Sequence, residues 1–160
     1  MKKRSSYRPK GVRLDNLSWV LAGIKPLTEL PDVNAIVRAK NHGAMHALVH
    51  GQGTADDVQT IVHAINMTAA LVGVRKTLGA DWCEEIHVAQ NALLAMARRG
   101  SDRGRFVFTG SEMHAVNLAM EVHDTQLDEA AVIEVERALK LIRKPGTGNK
   151  AIRVVELDHA

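Results

Sequence analysis

The fold class predicted is all-α: a bundle of five to six helices carrying an extended basic N-terminal arm. Three observations predict it. Apolar residues recur at three- and four-residue steps through most of residues 32–143, the helical period. Gly, Pro and capping residues (Asp, Asn, Ser, Thr) punctuate those runs at helix-length intervals. The charge is also uneven. Lys2, Lys3, Arg4, Arg8, Lys10 and Arg13 are six of the 21 basic residues, and no acid lies among them, so 15 cations face 18 acids in the rest and the body is net −3. A chain of 160 residues fits one domain, here divided into an arm (1–14), a helical bundle (15–145) and a C-terminal tail (146–160).

Taken in order, Asp15 or Asn16 caps a short helix over 17–22, and Gly23 ends it. Pro26 and Pro31 keep 25–31 a connector. Asp32 opens a helix to about residue 50, with Val33, Ile36, Val37, Ala44, Ala47 and Leu48 on one face. Gly43 weakens its middle, and the expectation is a bend there or a closely packed neighbour. Thr54-Ala-Asp-Asp57 has the spacing of a capping box, with Asp in the place usually held by Glu. The helix it starts, 55 to about 76, is the clearest in the chain. It is apolar nearly all round from Ile65 to Val74, which predicts a central position.

Leu78-Gly79 breaks that run. Asp81 starts the next helix, carried inward by Trp82, Ile86, Ala89, Leu93 and Met96 and ending at Arg98-Arg99-Gly100, with a turn over 101–104. Residues 105–109 read as a short extended piece. Thr109 or Ser111 caps a helix to about His123, and Asp124-Thr125 reads as a turn. A last helix runs from about 127 to 143, with Leu127, Ala131, Val135, Ala138 and Ile142 inward. The weak alternation over 151–157 would let it pair with 105–109 as a small two-stranded patch.

Composition excludes several classes. Cys83 is the single cysteine, so no disulfide forms within the chain and a cytoplasmic location is expected. Met1-Lys-Lys-Arg4 mimics the start of a signal peptide, but no apolar stretch follows. The longest apolar run, 69–74, is far short of the roughly 20 residues that span a bilayer, so no membrane is expected. Five aromatics (Tyr7, Trp19, Trp82, Phe106, Phe108) are too few for a base-stacking platform.

No catalytic signature is complete, and no cofactor or metal is expected. His42, His46 and His50 stack at four-residue steps, where adjacent members would offer two ligands; surface histidines are the plainer reading. Glu84-Glu-Ile-His87 carries one Glu-x-x-His spacing where a di-iron bundle needs two. Cys83 has His87 four residues on, an activating partner in principle; a buried structural thiol is the plainer reading. Gly146-Thr-Gly-Asn-Lys150 lacks the strand, helix and Gly-Lys-Ser/Thr of a phosphate loop, and reads as a helix stop. Glu112, Glu121, His123 and Asp124 read as a solvated face. The basic side chains carry more. Arg137, Lys140, Arg143 and Lys144 form a stripe along the last helix, continued by Lys150 and Arg153.

The arm Lys3-Arg-Ser-Ser-Tyr-Arg-Pro-Lys-Gly-Val12, the segment Lys40-Asn-His-Gly-Ala-Met-His-Ala-Leu48 and the run Met120-Glu-Val-His-Asp-Thr-Gln-Leu-Asp128 together resemble small helical proteins encoded by phages and prophages of Gram-negative bacteria. That resemblance implies no active site. It implies an accessory role: replication helper, regulator, or blocker of a host enzyme or defence.

The function expected is therefore non-enzymatic. The arm and the stripe bind nucleic acid, DNA or RNA, through Lys2, Lys3, Arg4, Arg8, Lys10, Arg13, Arg137, Lys140, Arg143 and Lys144. The alternative is a protein-binding module whose arm meets an acidic protein surface and whose methionines (Met45, Met67, Met96, Met113, Met120) offer adaptable contact. A metal-dependent enzyme is a third reading. A homodimer is compatible with all three, though nothing in the sequence fixes it.

Overall fold

Thr54 and Thr109 start their helices through reciprocal caps. In the computed structural model, which describes residues 23–143, the Thr54 amide donates to Asp57 Oδ2 (2.8 Å) and the Asp57 amide to Thr54 Oγ1 (3.3 Å). Thr109 and Glu112 repeat the pattern at 2.7 and 3.4 Å. Each cap satisfies amides that the first turn of a helix leaves without a partner. Among the described residues five α-helices follow one another: α1 (Pro31–Val49), α2 (Ala55–Val74), α3 (Cys83–Arg103), α4 (Gly110–Glu129) and α5 (Val132–Arg143). Short 3-10 turns cover Leu27–Glu29, Lys76–Leu78 and Ala80–Trp82. The architecture is an all-α bundle, and no sheet forms among the described residues.

The near-continuous apolar stretch of α2 has its physical counterpart in position: α2 packs against α1, α3, α4 and α5. Val58, Ile61, Val62 and Ile65 are fully or almost fully buried, in one cluster with Leu48, Ile86, Leu93, Met96, Val116 and Met120. Each such side chain contributes roughly 1.5–3 kcal/mol of transfer free energy. A second, smaller cluster joins Ala70, Leu71 and Leu78 to Ala130 and Ala138, and holds α5 on the C-terminal half of α2. The beginning of the described chain is tied to the α4–α5 junction: the Leu27 amide donates to Ala130 O (2.9 Å) and the Val132 amide to Lys25 O (3.0 Å).

Several sequence expectations are corrected. Val33 and Ile36 are exposed, Ile36 by 67%; Ala44 and Leu48 are buried as expected, and Asn34, Asn41 and Met45 complete the buried side of α1. Nothing lies within reach of a side chain added at Gly43, so no neighbour packs closely there. The third helix continues a turn beyond Gly100, to Arg103, and stops at Gly104 in the left-handed conformation (φ 66°). Gly100 is inside it because the Phe106 ring lies where a Cβ would be. Asp124-Thr125 is no turn: α4 runs through it to Glu129, with His123, Gln126 and Leu127 buried. The last helix accordingly begins at Val132. Phe106 forms an isolated bridge with Gly53. Trp82 is 42% exposed rather than inward. The helix expected over 17–22 and residues 144–160 lie outside the described residues, as does the tail half of the two-stranded patch.

Candidate functional site

The basic stripe on the last helix bears most directly on the expected function. Arg137, Lys140 and Arg143 are exposed on α5. Among the described residues none of the three is held in an ion pair or a side-chain hydrogen bond. Ala138 faces the core between them, which turns the three cations outward. Lys2, Lys3, Arg4, Arg8, Lys10, Arg13 and Lys144, the other expected nucleic-acid ligands, lie outside the described residues.

A second basic region was not read from the sequence. Arg99, Arg103 and Arg105 line a cleft of about 350 Å³ with Val107. Arg99 is committed elsewhere, since its guanidinium donates to both Glu112 oxygens (2.9 and 2.6 Å) and to Val107 O (2.9 Å). That fork lowers the Glu112 carboxyl below the usual carboxylate range and raises Arg99. The Arg105 guanidinium lies over Gly51, whose positive φ (69°) and missing Cβ make room for it. The sequence signal was Arg98, Arg99, Arg103 and Arg105 within eight positions, read as a helix end, a turn and the start of an extended piece.

The histidines separate. His46 and His50 are exposed ring neighbours with centroids 4.0 Å apart. His42 instead meets Asp124 of α4, Nε2 to Oδ2 at 2.8 Å. Arg38 reaches the same place, donating to Asp124 O (2.8 Å) and Asp128 Oδ1 (2.6 Å). Beneath them His123 is buried with Nδ1 3.1 Å from Thr68 Oγ1. The His42–Asp124 pair braces α1 against α4. No group of three metal-ligating side chains converges among the described residues. Cys83 is exposed rather than buried. Glu84 and His87 are exposed beside it, and Glu85 is half-buried.

A larger cleft, about 550 Å³, opens between the connector that follows α2 and the side of α4. Trp82, Leu118 and Val122 line it, with Asp81, Glu121 and Glu129. None of these came together in the sequence reading, because the connector and the helix are some 40 positions apart. No protein-family model, curated protein or solved structure matches the chain.

No helix of the described residues is long and apolar enough to cross a membrane.

Proposed function

We propose that the protein is a cytoplasmic, non-enzymatic accessory protein, phage-type in character, that binds nucleic acid through its basic arm with the cations of α5 as a second binding element. The observation that supports this reading is the state of Arg137, Lys140 and Arg143: exposed, on one helix, and without a carboxylate partner among the described residues. Holding three like charges together in solvent is mildly unfavourable, and a polyanion relieves it. With the six cations before Leu14 they supply nine positive charges suited to phosphates.

A salt series tests it. Binding of the full chain to duplex DNA and to RNA is measured by gel shift, beside two full-length variants: one with the six arm cations changed to Gln, one with Arg137, Lys140 and Arg143 changed to Gln. For duplex DNA the slope of log affinity against log salt should flatten by roughly 0.9 for each phosphate that the variant no longer neutralises. Equal affinity and slope for all three chains, or no binding by any, overturns the reading.

A protein-binding module is the second reading, favoured by one observation. Leu30, Val33 and Ile36 form an exposed apolar row at the start of α1. The methionines do not add to it: Met45, Met96 and Met120 are buried, and Met67 and Met113 pack against the core. A pull-down from nuclease-treated lysate should then recover a stoichiometric partner that Ile36→Asp loses.

A further inference from the structure

The 550 Å³ cleft between the α2–α3 connector and α4 is chemically one-sided. Asp81, Glu121 and Glu129 are exposed on it, and among the described residues none of the three carboxylates is ion-paired. Among the described residues Lys76 is the only cation that lines it. Gln126 on its wall is 2% exposed; its amide nitrogen donates to Thr68 O (3.1 Å) and Leu78 O (2.6 Å), and its Oε1 has no partner among the described residues. Trp82 offers an indole face, and Leu118 and Val122 an apolar wall.

Such a cleft fits a long cationic side chain. The stem lies along Leu118 and Val122, the guanidinium or ammonium meets carboxylates, and the indole attracts the charge through its ring face. The same chain carries six such side chains in residues 1–13. Reach is satisfied. Leu27 is bonded to Ala130, the residue after Glu129 of the cleft, and Gly23 lies against Ile133. The linking residues 14–22 span up to roughly 30 Å when extended. Tethering also gives the arm an effective concentration of order millimolar at the cleft.

We infer that this cleft is the docking site for the chain's own basic arm, residues 1–13. Docked, the arm is withheld from other polyanions; that regulatory consequence rests on the nucleic-acid reading above, whereas the docking does not.

The exposed, single Cys83 next to Trp82 supplies the test. A nitroxide is attached to Cys83 of the full-length, 15N-labelled chain, and amide intensities of residues 1–13 are compared with the label oxidised and reduced. Docking predicts loss of most of their intensity, recovered in the Asp81→Asn/Glu121→Gln/Glu129→Gln variant and at high salt. Equal intensities in both label states overturn it. So does broadening that transfers, in a mixed sample, to a chain bearing no nitroxide, which would put the arm on a second copy. Without any label, the same triple substitution should move the arm's amide shifts; unmoved shifts overturn the proposal. A gel shift on the triple variant separates the two readings. Binding several-fold tighter than the unaltered chain supports both. Unchanged affinity alongside a docked arm supports docking and counts against nucleic acid as its competitor.

Discussion

His123 is 2% exposed on α4, bonded to Thr68 of α2 and next in sequence to Asp124, which Arg38 and His42 of α1 bond. Thr68 donates its hydroxyl proton to Ala64 O (3.0 Å), so the hydroxyl oxygen accepts from His123 Nδ1–H. The proton-free Nε2 has no partner among the described residues. Protonating it would bury a charge, and burial pushes the imidazole down to about 4; Asp124 opposes the shift, while Arg38 and His42 add to it. The unfolded chain takes up this proton below about 6.5, well before the folded chain does. Stability from this group is therefore fully present above pH 6.5 and is lost as pH falls toward 4, by about 3 kcal/mol. Denaturant titrations at pH 7 and pH 4.5 should show that loss, and His123→Leu should remove most of it. Loss of equal size in the variant would refute the assignment. Glu112→Ala removes the Arg99 fork and one half of the α4 cap, and should cost about 1–2 kcal/mol at pH 7 in the same titration. Of that cap only Thr109, as an alternative to Ser111, was legible in the sequence; Glu112 read as part of a solvated face. The buried imidazole was not legible, because Glu121 and Asp124 on either side mark a wet face and only the packing of α1 and α2 closes it.

Two glycines at the end of α3 separate local from tertiary causes. Gly104 stops the helix in the left-handed conformation with open space where a Cβ would sit, so Gly104→Ala should cost about 1 kcal/mol of backbone strain. Gly100 is buried within the helix, where Ala is intrinsically the better residue. Its substitution meets the Phe106 ring, and Gly100→Ala should cost more, about 1–3 kcal/mol from overpacking. Equal costs, or the reverse order, in chemical denaturation would refute this. From sequence alone Gly100 looked like the helix stop, because the chain reversal at Gly104 that brings the Phe106 ring back onto it is not visible at Gly100 itself. Asp124-Thr125 misled for a related reason. Both residues favour turns, but Thr125 Oγ1 bonds Glu121 O (3.0 Å) within the helix, and the burial of His123, Gln126 and Leu127 on either side outweighs local preference.

Across the whole molecule two buried clusters divide the helices unequally. The larger one spans α1 to α4, while α5 is held to α2 by the smaller. Amide exchange should therefore be slowest in the middle of α2 and faster throughout α5. Leu71→Ala, which empties the fully buried centre of the smaller cluster, should cost about 2–5 kcal/mol and speed exchange in α5 most. Uniform acceleration across all five helices would show that the clusters do not act separately. The sequence by itself determined the helical class, the central place of α2, the Thr54–Asp57 capping box and the net charge of arm and body, since these follow from residue type, short-range spacing and simple counting. Only the tertiary structure decided that Ile36 is exposed and His123 buried, that Trp82 opens onto an acid-rimmed cleft, and that Arg105 lies over Gly51. Those outcomes depend on residues some 40 to 80 positions apart being brought together, and spacing along one helix carries no information about which neighbour covers which face.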